Sequence, residues 1–235
     1  MATDYLERGA VAGVAGGLVY GLFVATVGNA FTAGLETFEH GHGGGPAVSA
    51  LTTTVASVGG GVLWGVLFGV AAFGVAYFFL EPALPGTGAT KRLALAGAGF
   101  LTVSGAPWLV LPPQPPGVEQ ALGTDARLAW YAGLMVLGAL VAALAGLTAR
   151  RTADRHVAVR LAATASPLAL LAVPVALAPA NPVHGDVPAS LVAAYRWTVV
   201  FGQLLLWATI AGVHAWLGDA ETTATDDLDY PATAD

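Results

Sequence analysis

The sequence predicts an all-α protein, a polytopic membrane bundle of six transmembrane helices. Three observations carry this. Hydrophobic residues make up 56% of the 235 positions and charged ones only 10%, where a soluble domain carries about a quarter. Mean hydropathy is +0.69. Six separate stretches stay apolar over roughly the 20 residues that a helix needs to cross ~30 Å of hydrocarbon. They run approximately Gly9–Phe31, Thr53–Leu80, Leu93–Leu111, Leu128–Ala149, Val157–Ala178 and Ser190–Leu217.

The first stretch is too long for a cleaved signal peptide and lacks a strongly basic start, so it is expected to stay as a span. It carries glycine at 9, 13, 17 and 21, and the second carries it at 61, 65 and 69. Four-residue glycine ladders put a smooth stripe on one helix face and let backbones approach closely. They suit helix packing within the bundle, or a pore or partner-docking face. The fifth stretch contains Pro167 and Pro174. Proline removes a backbone donor and clashes with the preceding turn, so a kink is expected there.

Lysine and arginine set the orientation. Lys91 and Arg92 close the loop before the third span, and Arg150, Arg151, Arg155 and Arg160 surround the loop before the fifth. Arg8 precedes the first. The loops after spans one and five contain neither residue, and the loop after span three only Arg127 at its end. The expectation is a multi-pass protein of the cell membrane with both termini cytoplasmic and those three loops outside. Trp108, Trp130 and Trp197 then fall near the outer boundary and Trp216 near the inner one, as aromatic belts do. Residues 1–218 form the membrane domain. The remaining 219–235, DAETTATDDLDYPATAD, is polar, acidic and unpatterned, and is read as a disordered cytoplasmic tail.

The net charge is −6, with one lysine against eight arginines. An acidic, lysine-poor exterior fits a halophile. Greater stability in detergent at molar salt than at low salt is the expected result, and equal stability at both would remove the reading. There is no cysteine, which excludes disulfides, thiolate metal sites and cysteine nucleophiles. No P-loop is present, so the chain does not itself hydrolyse nucleotide to drive transport. The spans hold no serine–histidine, paired-aspartate or HExxH arrangement, so the chain is expected not to be an enzyme.

One polar cluster stands out against this background: 36-ETFEHGHGGG-45. If the first helix continues beyond the membrane, Glu36, Glu39 and His40 share a face at i, i+3 and i+4, and His42 follows in a glycine run. Carboxylate and imidazole suit a divalent first-row ion, and weak oxygen and nitrogen donors without thiolate suit a site that must release it. The other reading is a solvated loop that ligates nothing. His184 and Asp186, in NPVHGD, could complete a site on the same side or simply form a turn. Arg127 and Arg196 stand at the outer heads of helices four and six, against the positive-inside trend. A structural or gating role is expected for them, with snorkelling to headgroups as the alternative. Gln203, an amide within the last span, either lines a path or bridges helices. Glu81 and His214 are read as interface residues. No span carries a charge at its centre, whereas ion-coupled transporters usually need intramembrane ionisable groups.

The stretches 107-PWLVLPPQPPG-117 and 174-PVALAPANPVH-184 place prolines with one spacing, at 107, 112 and 115 and at 174, 179 and 182. Each closes a helix, and each is followed by an acid and an arginine, Asp125 with Arg127 and Asp186 with Arg196. Helices 3–4 and 5–6 are therefore read as a parallel hairpin repeat, a device common among transporters. Convergence on helix-ending prolines is the alternative.

The run 112-PPQPPGVEQALGTDARLAWY-131, with Pro112, Pro115 and a downstream arginine, resembles the proline signature of the CbtA family of cobalt transporter subunits. The runs 35-LETFEH-40 and 188-PASLVAAYRWTVVFGQLLLWATIAG-212 resemble the family's acidic segment after the first helix and its last helix. A departure lies at 117-GVEQALGTD-125, where the family has a Gly-Asp-Pro-Glu turn. The acid is displaced, which puts a family role for Glu119 in doubt. The resemblance implies a subunit of a cobalt uptake system serving cobalamin synthesis, working with a small single-helix, histidine-bearing partner of the CbtB kind. It implies Co2+ as cargo, with no tightly bound cofactor. A non-transporting scaffold or assembly subunit is the alternative. The partners expected are that subunit and the lipid bilayer, with homo-oligomers open and nucleic acid not expected.

Overall fold

A computed structural model describes residues 2–39, 49–116, 118–184 and 187–229, of which 36–39 and 221–229 are described as backbone only. Six helices are long and apolar enough to cross a membrane: α1 Ala2–Leu35, α2 Ala50–Ala83, α3 Ala89–Val110, α4 Thr124–Arg151, α5 Val157–Leu177 and α6 Ala189–Ala220. Each expected span coincides with one of them, the third and fifth helices ending one residue before the expected Leu111 and Ala178. Helical backbone continues past α1 to Glu39 and past α6 to Asp229. A helix already nucleated elongates at little cost, and α6 thereby runs beyond the boundary at 218 that composition suggests.

The glycine ladders are the seam between α1 and α2. The two helices run antiparallel, and their glycines meet reciprocally: Gly9 with Gly69, Gly13 with Gly65, Gly17 with Gly61. A Cβ added at Gly17 would lie 2.5 Å from the Gly61 carbonyl oxygen, and one at Gly61 would lie 2.6 Å from that of Gly17. Backbone touches backbone along the whole seam, so the ladders serve packing within the bundle. The other face of α1 packs on α6, and α6 packs on α3. The core where these helices converge holds Ala12, Phe73, Tyr77, Leu95, Leu206, Trp207 and Ile210, all buried.

α4 and α5 form a second layer. α4 lies along α3, and Ala106, Val141 and Leu171 are buried between these three helices. α5 packs chiefly against α4, whereas α6 packs on α1 and α3. The α3–α4 and α5–α6 hairpins are thus packed differently. As expected for the prolines, α5 does not run as a regular helix. Ser166–Leu171 is a 3-10 turn and both Pro167 and Pro174 are buried.

Three spans also widen locally into π-helix, at Val24–Gly28 in α1, Gly69–Ala76 in α2 and Leu101–Gly105 in α3. A π-turn shifts the hydrogen-bond ladder and frees a carbonyl, and such turns often lie at functional positions. In α3 the Tyr131 hydroxyl of α4 donates to the Val103 carbonyl within this turn at 2.6 Å, and the residue four positions on, Pro107, has no N–H to offer that carbonyl.

Candidate functional site

Polar chemistry gathers at the two ends of the bundle. The C-terminal ends of α1, α3 and α5 share one end, here the histidine end. The termini of α1, α2, α3 and α6 that carry Arg8, Glu81, Arg92 and Asp219 form the other, here the basic end.

At the histidine end the two proline loops are tied together. β1, Glu119–Gln120, pairs antiparallel with β2, Val183–His184, with Glu119 opposite His184. Directly opposite residues of such a pair hold their Cβ atoms about 4.5–5.5 Å apart, so an acidic and a histidine residue share one strand-pair position, both exposed. Asn181 fixes the register. Its Oδ1 accepts from the Leu122 amide at 3.0 Å and its Nδ2 donates to Gln120 Oε1 at 3.0 Å. Sequence reasoning set Glu119 aside because the acid was displaced from the family turn; the pairing that places it opposite His184 joins residues 65 positions apart in the chain. Asp186, expected to join His184, lies outside the described residues.

Arg196 holds the proline loop to α6. Its Nε donates to the Pro113 carbonyl at 3.3 Å and its Nη2 to Gln114 Oε1 at 3.0 Å. Pro115 is buried beside this clamp and Pro112 is half-buried. Arg127 donates from Nη2 to Thr124 Oγ1 at 3.3 Å and lines a shallow cleft with Pro112, Gln114 and Gln120. Among the described residues neither arginine forms an ion pair. Arg196, about two turns into α6, finds its acceptors in the carbonyl and amide of the proline loop.

Of the acidic-histidine cluster, Glu36 and Glu39 lie on helical backbone that continues α1, as the shared-face reading requires. His40 and His42 lie outside the described residues. Among the described residues no group of three metal-ligand side chains converges. Gln203 is half-buried and takes no part in the cavity that lies nearest to it on α6.

The basic end differs most from expectation. Arg92, read as a loop charge, is buried with 8% exposure, and His214 is buried completely. Arg92 Nε donates to His214 Nδ1 at 3.2 Å, its Nη1 approaches Asp219 Oδ1 at 3.6 Å, and its guanidinium lies 5.7 Å from the Tyr77 ring centre. His214 stacks among Phe73 and Tyr77. Gly218 makes room for the guanidinium, since an added Cβ would collide with Arg92 Nη2. Beside this group Glu81 Oε2 accepts from the Tyr5 hydroxyl at 2.8 Å and Glu81 Oε1 from Lys91 at 3.5 Å. One network therefore joins α1, α2, α3 and α6.

A family model described as "Probable cobalt transporter subunit (CbtA)" matches residues 2–219. The chain belongs to the CbtA family. The match takes in all six helices and both paired loops. As a member of a family of transporter subunits, this CbtA chain belongs to a system of more than one component. No curated protein and no solved structure matches it significantly.

Proposed function

We propose that this chain is the membrane-embedded subunit of a Co2+ uptake system that supplies cobalamin synthesis. The observation that carries the reading is the family match across the full membrane domain. The lysine–arginine distribution supports a cytoplasmic basic end and an external histidine end. Glu36, Glu39, His40 and His42 then collect the ion outside, with Glu119, His184 and Asp186 as further donors on the same side. Carboxylate and imidazole bind Co2+, but the Irving–Williams order favours nickel and copper at such a site, so selectivity has to come from geometry or supply. A small single-helix subunit with histidines is the expected partner. Arg127 and Arg196 act as structural or gating residues, through the loops they hold.

Radiolabelled Co2+ uptake tests this in a host without its own importers, given this chain and its partner. Changing Glu36, Glu39, His40 and His42 together to alanine should cut uptake at least about tenfold at equal membrane expression, the loss of ~1.4 kcal/mol or more of capture free energy. Uptake indifferent to all four changes would dismiss the capture role. No uptake by the intact pair would favour a scaffold, a reading supported by the lack of a charged side chain at mid-span among the described residues.

A further inference from the structure

We infer that a groove at the basic end is a binding site for the phosphate of an anionic phospholipid, whose acyl chains lie along α5. The inference goes beyond the transport reading and does not depend on it. The groove opens over about 630 Å3 where α2 and α4 end and α3 and α5 begin. Three basic side chains from three helices line it: Lys91 of α3, Arg150 of α4 and Arg160 of α5. No aspartate or glutamate does. Span ends stand at the depth of lipid headgroups, and basic pockets between helices at that depth suit their phosphates.

The helices themselves decide the sign of the ligand. Lys91 is the third residue of α3 and Arg160 the fourth of α5, and neither helix has an acid in its first turn. A helix start is positive, so a cation there is disfavoured unless an anion joins it. Lys91 meets one carboxylate oxygen of Glu81 at 3.5 Å, but Glu81 also accepts from the Tyr5 hydroxyl and stands outside the lining. Arg150 lies in the last turn of α4, whose carbonyl end meets part of its charge. It gives one N–H to the Ala83 carbonyl, from Nη1 at 3.1 Å, and keeps others to donate. Among the described residues the Arg160 side chain has no hydrogen bond and no ion pair. The turn at 84–88 is held in shape beside these groups. Gly86 has φ 86°, and a Cβ added to it would lie 2.6 Å from Thr90 Cγ2. Both Gly86 and Thr90 line the groove.

The rest of the lining selects a lipid over a free anion. Pro82, Leu84, Pro85 and Leu161 give the groove apolar walls. From Leu161, 63% exposed, the surface continues onto α5, the least buried of the six spans. Val159, Leu168 and Leu170 of that helix are exposed as well. A phospholipid fills both parts at once, with its phosphate on the cations and its chains on α5. Inorganic phosphate would meet the cations and leave the apolar walls in water. A zwitterionic lipid brings its own ammonium group toward the arginines and loses part of the attraction.

Native mass spectrometry of the full chain, released from a neutral detergent, tests the site. Titrated with dioleoylphosphatidylglycerol, the protein should hold it at least about tenfold more tightly than dioleoylphosphatidylcholine. Arg160→Gln should weaken the phosphatidylglycerol complex at least about tenfold, as for the loss of a charge-assisted hydrogen bond. Arg160 is exposed, so this variant should unfold at the wild-type temperature. Arg155→Gln removes the same charge from the turn before α5, outside the lining, and should change binding less than about twofold. Equal binding of the two lipids, or equal losses in the two variants, would overturn the assignment by making the attraction diffuse. Inorganic phosphate serves as competitor and should displace the lipid only in large excess. Displacement at equimolar concentration would also overturn the assignment, because the anion alone would then account for binding.

Discussion

Gly65→Val should separate α1 from α2 and cost about 3 kcal/mol or more, the upper range for overpacking a close contact. The added carbons would enter the space of the Gly13 carbonyl and of the Gly17 backbone. Side chains relieve a clash by changing rotamer, but here only backbone stands opposite, so the helices themselves must move. The same step of α2 contains its own control. Nothing lies within 4 Å of a Cβ added at Gly59 or Gly60, so Gly60→Val should change stability by no more than ~0.5 kcal/mol. Thermal unfolding of the purified chain in one detergent, read by size-exclusion recovery, compares the two. Equal losses would mean that glycine content, and not the seam, is what matters. Gly13→Val should match Gly65→Val, because the contact is reciprocal.

This seam could be read in the sequence, and the reason is geometric. A period of four residues on a helix of 3.6 per turn keeps one stripe facing one neighbour, and glycine's lack of a side chain announces close approach. The six spans could be read for a similar reason, since hydrocarbon thickness fixes their length whatever they pack against. Other features depend on contacts that a one-dimensional pattern does not contain. Arg92 follows Lys91 and looks like a second loop charge, yet α3 turns it into the bundle while Lys91 stays near the surface to meet Glu81. Glu119 meets His184 only because two loops pair. The π-turns leave no periodic trace, as they shift the register by one residue within apolar sequence. Asn29 could have been noticed as an amide inside a span, on the grounds that singled out Gln203. Its partner Ser57 on α2 required coordinates.

Arg92→Met should destabilise the basic end by ~2–3 kcal/mol, the range for removing one partner of a buried, charge-assisted hydrogen bond. His214 is the reason for the size of the effect. Arginine nitrogens only donate, so His214 Nδ1 accepts, and after the change it is left in a pocket of Phe73 and Tyr77 without its donor. Asp219 is largely exposed, and its separation from Arg92 should matter little, as for surface pairs generally. Arg92→Lys keeps the charge but loses the planar group that reaches both His214 and the Tyr77 ring, so it should rescue only part of the loss. His214→Leu removes the other partner and strands the guanidinium instead. If the hydrogen bond is what holds the two helices, the double variant Arg92→Met with His214→Leu should cost less than the sum of the single changes by ~1–2 kcal/mol, because neither polar group then remains unpaired. Additive losses in thermal unfolding would instead assign the effect to packing around two independent side chains. The cycle also bears on transport. Arg92 and His214 join α3 to α6, while the helix that continues to Glu39 is α1. A coupling confined to stability, with Co2+ uptake preserved in the double variant, would make the basic end an anchor that holds α6 to α3.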